Sequence, residues 1–130
     1  FRYSDFEFIL GRNSELTFVE IGGETMTDYI VVYVTAPENE AAELARTLVE
    51  ERLVACVNIM PGLRSFYWWQ GKVEDEPEVL CIMKTQSHLF ETLRDRVRQL
   101  HSYEVEEIIA LPILAGNPPY LDWIKRNTEP

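Results

Sequence analysis

One hundred and thirty residues fit a single domain, and 46% apolar with 26% charged residues is the make-up of a folded chain, not a disordered one. Twelve basic residues against twenty-two acidic ones leave a formal charge of −10. That balance argues against nucleic-acid backbones and anionic membrane surfaces as partners, because both need a positive field.

Cys56 and Cys81 are too few for a disulfide scaffold, and both lie in apolar runs where a reduced cysteine acts as a small hydrophobe. No apolar run reaches the roughly 18–20 residues that span a bilayer. A cytoplasmic protein with no membrane span is expected.

The first 28 residues carry six acidic and two basic residues and lack the charged-then-apolar layout of a secretion signal. Phe6–Leu10 and Leu16–Ile21 read as short strands around Gly11-Arg12-Asn13-Ser14, a candidate β-hairpin. Gly22-Gly23-Glu24 then resembles a linker. Residues 1–28 are expected to be an extension, an added segment or an extra sheet edge, with the domain proper over 29–130.

Tyr29–Thr35 is a continuous β-branched and aromatic run, the pattern of a central strand covered on both faces. A helix follows from Pro37-Glu38-Asn39, with Ala41, Leu44, Ala45, Leu48, Val49 and Leu53 forming one buried stripe. Val54–Met60 returns to strand, Pro61-Gly62 marks a bend or bulge, and Leu63–Trp69 resumes. Gln70-Gly71 suits a tight hairpin into Lys72–Thr85.

Ser87 is a good N-cap for a second helix reaching Leu100, with Leu89 or Phe90, Leu93, Val97 and Leu100 inward and Arg94, Asp95 and Arg98 in water. Val105–Leu114 reads as the last strand. Asn117-Pro118 opens a short helix through Tyr120, Trp123 and Ile124. The order β-α-β-β-α-β-α is the α+β, ferredoxin-like split βαβ arrangement with a C-terminal helix.

The hairpin is unusually long. Arms of about 14–15 residues compare with a usual strand of about 5–6. Each would span nearly 50 Å at about 3.3 Å per residue, beyond the reach of a helix about 21 Å long. Its outer part carries Phe66, Tyr67, Trp68 and Trp69. A protruding apolar arm invites pairing, so an oligomer joined through this hairpin is expected, with Phe66, Tyr67 and Trp68 at the interface.

Several residue types hold chemical interest. Cys56 reads either as a buried strand cysteine or as a soft metal ligand. His101 follows a helix and precedes Tyr103 and Glu104, where it either caps free carbonyls or offers imidazole to a metal. Lys84 in an apolar strand pairs with a carboxylate or lines a pocket. Glu74-Asp75-Glu76 and Glu78 read as a solvated strand edge, because alternating faces and missing loop spacing disfavour a metal site. A Cys56–His101 nucleophile pair has no third orienting group, so no enzyme is expected.

Leu53-Val54-Ala55-Cys56-Val57-Asn58-Ile59, Tyr67-Trp68-Trp69-Gln70-Gly71-Lys72 and Lys84-Thr85 carry a resemblance. It continues through His101-Ser102-Tyr103-Glu104-Val105, Ile108–Ile113, Gly116-Asn117 and Tyr120-Leu121-Asp122-Trp123. The chain resembles the CutA family of divalent-cation tolerance proteins over about 29–127. That resemblance implies a tight homotrimer built through long hairpins, similar in architecture to the PII signalling proteins, with a part in metal-ion response.

It links Cys56 to copper or another divalent cation, with His101 as second candidate ligand. It also suggests an inter-subunit pocket with Trp69, Lys72, Lys84, Tyr103 and Glu107. A PII-like alternative would bind a small anionic metabolite there through Lys72 and Lys84. A further alternative is a trimeric assembly or anchoring scaffold. The chain departs from the family pattern at Gln70, where Glu is usual, and at Ser102 and Glu106, where Pro is usual. A neutral amide at position 70 weakens any hard-cation role there.

Overall fold

The computed structural model describes residues 6–10, 16–21, 24–25 and 27–130. Near the start, β1 (Phe6–Leu10) and β2 (Leu16–Ile21) pair antiparallel, with Phe6 opposite Ile21 and Leu10 opposite Leu16. Glu24, expected in a linker, instead joins Thr25 in a two-residue strand β3 that pairs with Glu20 and Ile21. The expected turn at Gly11–Ser14 and the Gly22-Gly23 pair fall outside the described residues.

The main body contains β4 (Tyr29–Ala36), α1 (Glu38–Glu50), β5 (Cys56–Trp69), β6 (Lys72–Gln86), α2 (Phe90–Leu100), β7 (Ile108–Pro112) and α3 (Pro118–Asn127). Strand order is β5-β6-β4-β7 with every neighbour antiparallel. This is the ferredoxin-like α+β architecture with an added C-terminal helix.

Side chains on a strand alternate faces. Ile30, Val32, Val34 and Ala36 point into the core while the residues between them are half-buried. The expectation of a strand covered on both faces therefore fails within one chain: helices cover one face of β4, and the other stays partly open. Val79, Cys81 and Met83 of β6 share the covered face with Leu44 and Leu48 of α1 and Leu93 and Val97 of α2. Burying each large side chain contributes about 1.5–3 kcal/mol. Val49 and Leu100, expected inward, are exposed because their helical positions lie past the edge of the buried stripe.

Ser87 does not cap α2. A 3-10 turn, Ser87–Leu89, precedes the helix, and the Ser87 hydroxyl donates to the Thr27 carbonyl at 2.8 Å, tying the helix start to the approach of β4. Arg94 lies against Asp95 and is largely covered, not free in water. The last strand is shorter than its apolar run: β7 spans only Ile108–Pro112, followed by one more bond from the Ile113 N–H to the Tyr29 carbonyl at 3.0 Å.

The long hairpin forms as expected, with fourteen residues in β5 and fifteen in β6. Gln70 and Gly71 both have positive φ, at 50° and 79°, the two-residue turn whose twist matches antiparallel strands. Between Met60↔Leu80 and Leu63↔Glu78, β5 advances one residue more than β6, so Pro61-Gly62 forms a β-bulge and Gly62 takes φ 85°. Only the inner part of β6 has a second neighbour, from Val79 paired with Ala36 to Gln86 paired with Tyr29. The outer arm has no other described strand beside it.

Candidate functional site

The ladder separates the proposed site residues into three places. Trp69 and Lys72 face each other at the hairpin end. Lys84 lies twelve positions further along β6, about 40 Å away at about 3.3 Å per residue. One chain therefore does not bring Lys72 and Lys84 into one pocket.

The first cluster lies on the open sheet face, at the start of β5. Cys56 sits opposite Lys84, which in turn sits opposite Val31. The Lys84 ammonium donates to the Asn58 side-chain carbonyl and forms no ion pair among the described residues. Helix α3 completes the cluster: the Tyr120 hydroxyl lies 3.7 Å from the Cys56 sulfur, and its ring stacks on Trp123 at 5.5 Å. Burial pushes the Tyr120 phenol above its ordinary range, and the contact with Cys56 adds to this. Cys56 is half-buried, between the core thiol and the exposed ligand that the sequence left open.

A second cluster gathers where α2 runs into β7. His101 is 8% exposed and its Nε2 lies 2.8 Å from the Thr35 carbonyl, while the Tyr103 backbone N–H donates to Nδ1 at 3.0 Å. Both ring nitrogens are thereby engaged. The Tyr103 hydroxyl donates to a Glu78 carboxylate oxygen at 2.9 Å, and its ring leans on His101 at 4.4 Å. Burial, then the bond to Glu78, pushes the Tyr103 phenol far up. Burial and the neighbouring Glu78 charge push the Glu107 carboxyl up as well.

Glu78 is the residue that sequence reasoning missed. Expected on a solvated edge, it is 8% exposed and partnered by Tyr103. Its place directly before the apolar run Val79–Met83 was the available signal. Asp75 fits the solvated reading and takes a two-pronged hydrogen bond from Arg64 at 2.9 and 2.8 Å. Tyr120 and Asn58, beside Cys56 and Lys84, stand in the motifs that carry the resemblance but were not singled out as site residues.

Cys56 and His101 do not meet within one chain. Thr35, which holds His101, is opposite Leu80, whereas Cys56 is opposite Lys84, four residues along β6 and on its other side. Among the described residues no three His, Cys, Asp or Glu side chains gather to hold a metal ion. The thiol has the softness that suits copper, but an ammonium is its cross-strand neighbour. The single chain therefore supplies an incomplete donor set among the described residues. Cys81 is fully buried, and burial pushes its thiol up, consistent with a core role. An open groove near Asp28, Tyr29, His88 and Lys125 contains none of the expected site residues.

A family model described as CutA1 divalent ion tolerance protein matches residues 30–127. The divalent-cation tolerance protein CutA of Thermus thermophilus is 54% identical over 99 residues, covering 75% of this chain and 96% of that protein. The chloroplastic protein CutA 1 of Oryza sativa is 50% identical over 106 residues, covering 81% of this chain and 60% of that protein. The solved CutA1 structure from Oryza sativa superposes with a TM-score of 0.77 at 47% identity, covering 80% of this chain and 96% of that one. No helix among the described residues is long and apolar enough to cross a membrane.

Proposed function

Because the chain belongs to the CutA1 divalent ion tolerance family, we propose that it serves divalent-cation tolerance as a non-enzymatic homotrimer joined through the β5–β6 hairpin. The observation that carries the assembly is the uncovered outer arm, where Phe66 is 62% exposed, Trp68 75% and Val73 57%. Three large apolar side chains on an arm with an unpaired edge fit burial against another copy. The two unpaired cysteines support a reducing, cytoplasmic setting.

For the ion, copper at Cys56 is the reading proposed. Its support is a half-buried thiol on the sheet's open face, with a second protomer or solvent completing the donor set. Titration of Cu(I) into the oligomer, read by competition with a chromophoric chelator, checks it. Cys56→Ala is expected to weaken binding at least about tenfold, and an unchanged affinity would sink the assignment.

A second reading rests on Lys84. Its ammonium, the Asn58 amide and the Tyr120 hydroxyl form a donor-rich patch with no ion-paired carboxylate among the described residues, in a strongly acidic chain. A small anionic metabolite would match that patch, as in a PII-like sensor. Thermal-shift screening of phosphorylated and carboxylated metabolites separates the two: an anion hit lost in Lys84→Ala and kept in Cys56→Ala favours the sensor.

A further inference from the structure

A groove of about 420 Å³ lies where β4 begins, β6 ends and the last turn of α3 passes, with Asp28, Tyr29, Gln86, His88 and Lys125 on its walls. That volume falls within the range of small-molecule sites. Its strand wall is held by Ser87, whose N–H donates to the Asp28 carbonyl and whose hydroxyl donates to the Thr27 carbonyl, each at 2.8 Å. Gln86 is the last residue of β6, so the groove stands at the far end of that strand from the hairpin turn.

Gln86 is only 7% exposed, yet half of its amide is unused. Its Nε2 donates to the Thr128 hydroxyl at 2.9 Å. That hydroxyl gives its one hydrogen to the Ile124 carbonyl at 2.8 Å, so toward Gln86 it only accepts, and the amide orientation is fixed. Oε1 therefore turns away from Thr128, and among the described residues it accepts no hydrogen bond. No described side-chain polar atom is both sealed from solvent and unpartnered, so this oxygen opens onto the groove that Gln86 lines. An acceptor so nearly covered gains from a donor that a ligand brings.

Two opposite charges line the same groove. Asp28 and Lys125 form no ion pair with each other among the described residues. The Asp28 carboxylate and the Gln86 oxygen both accept, which suits an ammonium. Lys125 is a cation and a donor, which suits a carboxylate and disfavours a bare metal ion beside it. We propose that this groove binds a free amino acid as its zwitterion, with the ammonium on Gln86 Oε1 and Asp28 and the carboxylate on Lys125. Tyr29, half-buried and directly opposite Gln86 in the ladder, offers its ring to an apolar side chain of that ligand. His88, exposed on the rim, supplies one more polar group. The site includes neither Cys56 nor Lys84, so it is independent of the copper reading and of the anion reading.

Chemical-shift titration of the isotope-labelled full chain with L-phenylalanine tests it. Saturable shifts are expected at Tyr29, Lys125 and the Gln86 side-chain amide. Phenethylamine, which lacks the carboxylate, and hydrocinnamate, which lacks the ammonium, are each expected to bind at least about tenfold more weakly. Asp28→Asn and Lys125→Gln are each expected to weaken L-phenylalanine by about tenfold as well. Arg126→Gln removes a neighbouring cation on α3 that does not line the groove, and it is expected to leave binding unchanged. Absence of saturable shifts at these three residues into the millimolar range overturns the proposal. So does an analogue with one charge that binds as well as the amino acid. A loss in Arg126→Gln equal to that in Lys125→Gln overturns it too, because general charge attraction would then explain the binding. The wild-type series with the two analogues carries the test if a variant fails to fold.

Discussion

The Glu107 carboxyl is pushed up, by burial first and by the neighbouring Glu78 charge second. A carboxyl raised in the folded state binds its proton more tightly there than in the unfolded chain, so it favours folding in acid. That contribution is complete below the unfolded carboxylate range and is lost as pH rises through the raised value. Glu107→Gln is therefore expected to raise the urea midpoint at neutral pH and leave it unchanged well below the carboxylate range. Solvent screening keeps the gain below about 1 kcal/mol. A larger gain in acid than at neutral pH would contradict the assignment.

The same cluster marks how far single residues were legible. His101 and Tyr103, both selected from the sequence, lie in ring contact, and Glu107 feels the charge of the same Glu78 that Tyr103 binds. Glu78 was not selected, since it closes a run of carboxylates, and only the tertiary contact with Tyr103 shows that this one is covered. Cys56 and His101 were paired by residue type and by the family resemblance, neither of which fixes position. Type says what an atom can bind, whereas the register of β4, β5 and β6 decides where it sits.

At the level of elements, the bulge at Pro61-Gly62 has the widest effect. Before it, Cys56 and Asn58 lie on the same open face as Lys84 and Ile82; beyond it, the extra residue shifts the alternation. Tyr67 and Trp69 thereby share the face of Glu78, while Phe66 and Trp68 pass to the opposite one. Strand existence, order and the turn at Gln70-Gly71 followed from β-branched runs and punctuation. The face of each aromatic did not, because one inserted residue reverses a period of two. At the turn, Gly71→Val places a β-branched residue at φ 79° and is expected to destabilise the protein by about 1–2 kcal/mol. Gln70→Asn, better suited to φ 50°, is expected to raise the midpoint slightly. Parallel denaturant titrations of both variants check the opposite signs.

For the whole molecule, the open face of the sheet and the outer arm leave more apolar surface than one chain covers. Ile109, Leu111 and Met60 on the open face join Phe66, Trp68 and Val73 on the arm as exposed large hydrophobics. Light scattering at micromolar concentration is expected to give three chain masses, and Phe66→Ser with Trp68→Ser to shift the population toward one. A wild-type value of a single chain mass would refute the trimer. The acidity is shared between parts: residues 1–28 hold four of the ten excess negative charges (six acidic minus two basic), leaving −6 for residues 29–130, which we propose as the domain. Three such domains meeting by apolar surface must do so against mutual repulsion, and added salt is expected to tighten the assembly.

The order in which the strands pair also sets an order in time. Trp69 and Lys72 meet across two residues, Ala36 must wait for Val79, and Val34 for Ile108. The entropy lost on closing a loop grows with its length, so the hairpin can zip from its turn before β4 finds β6, and β7 arrives last. Pulse-labelled amides during refolding are expected to gain protection in that sequence. Residues 101–107, which lead into β7, would then be fastened only when the rest of the sheet is already in place.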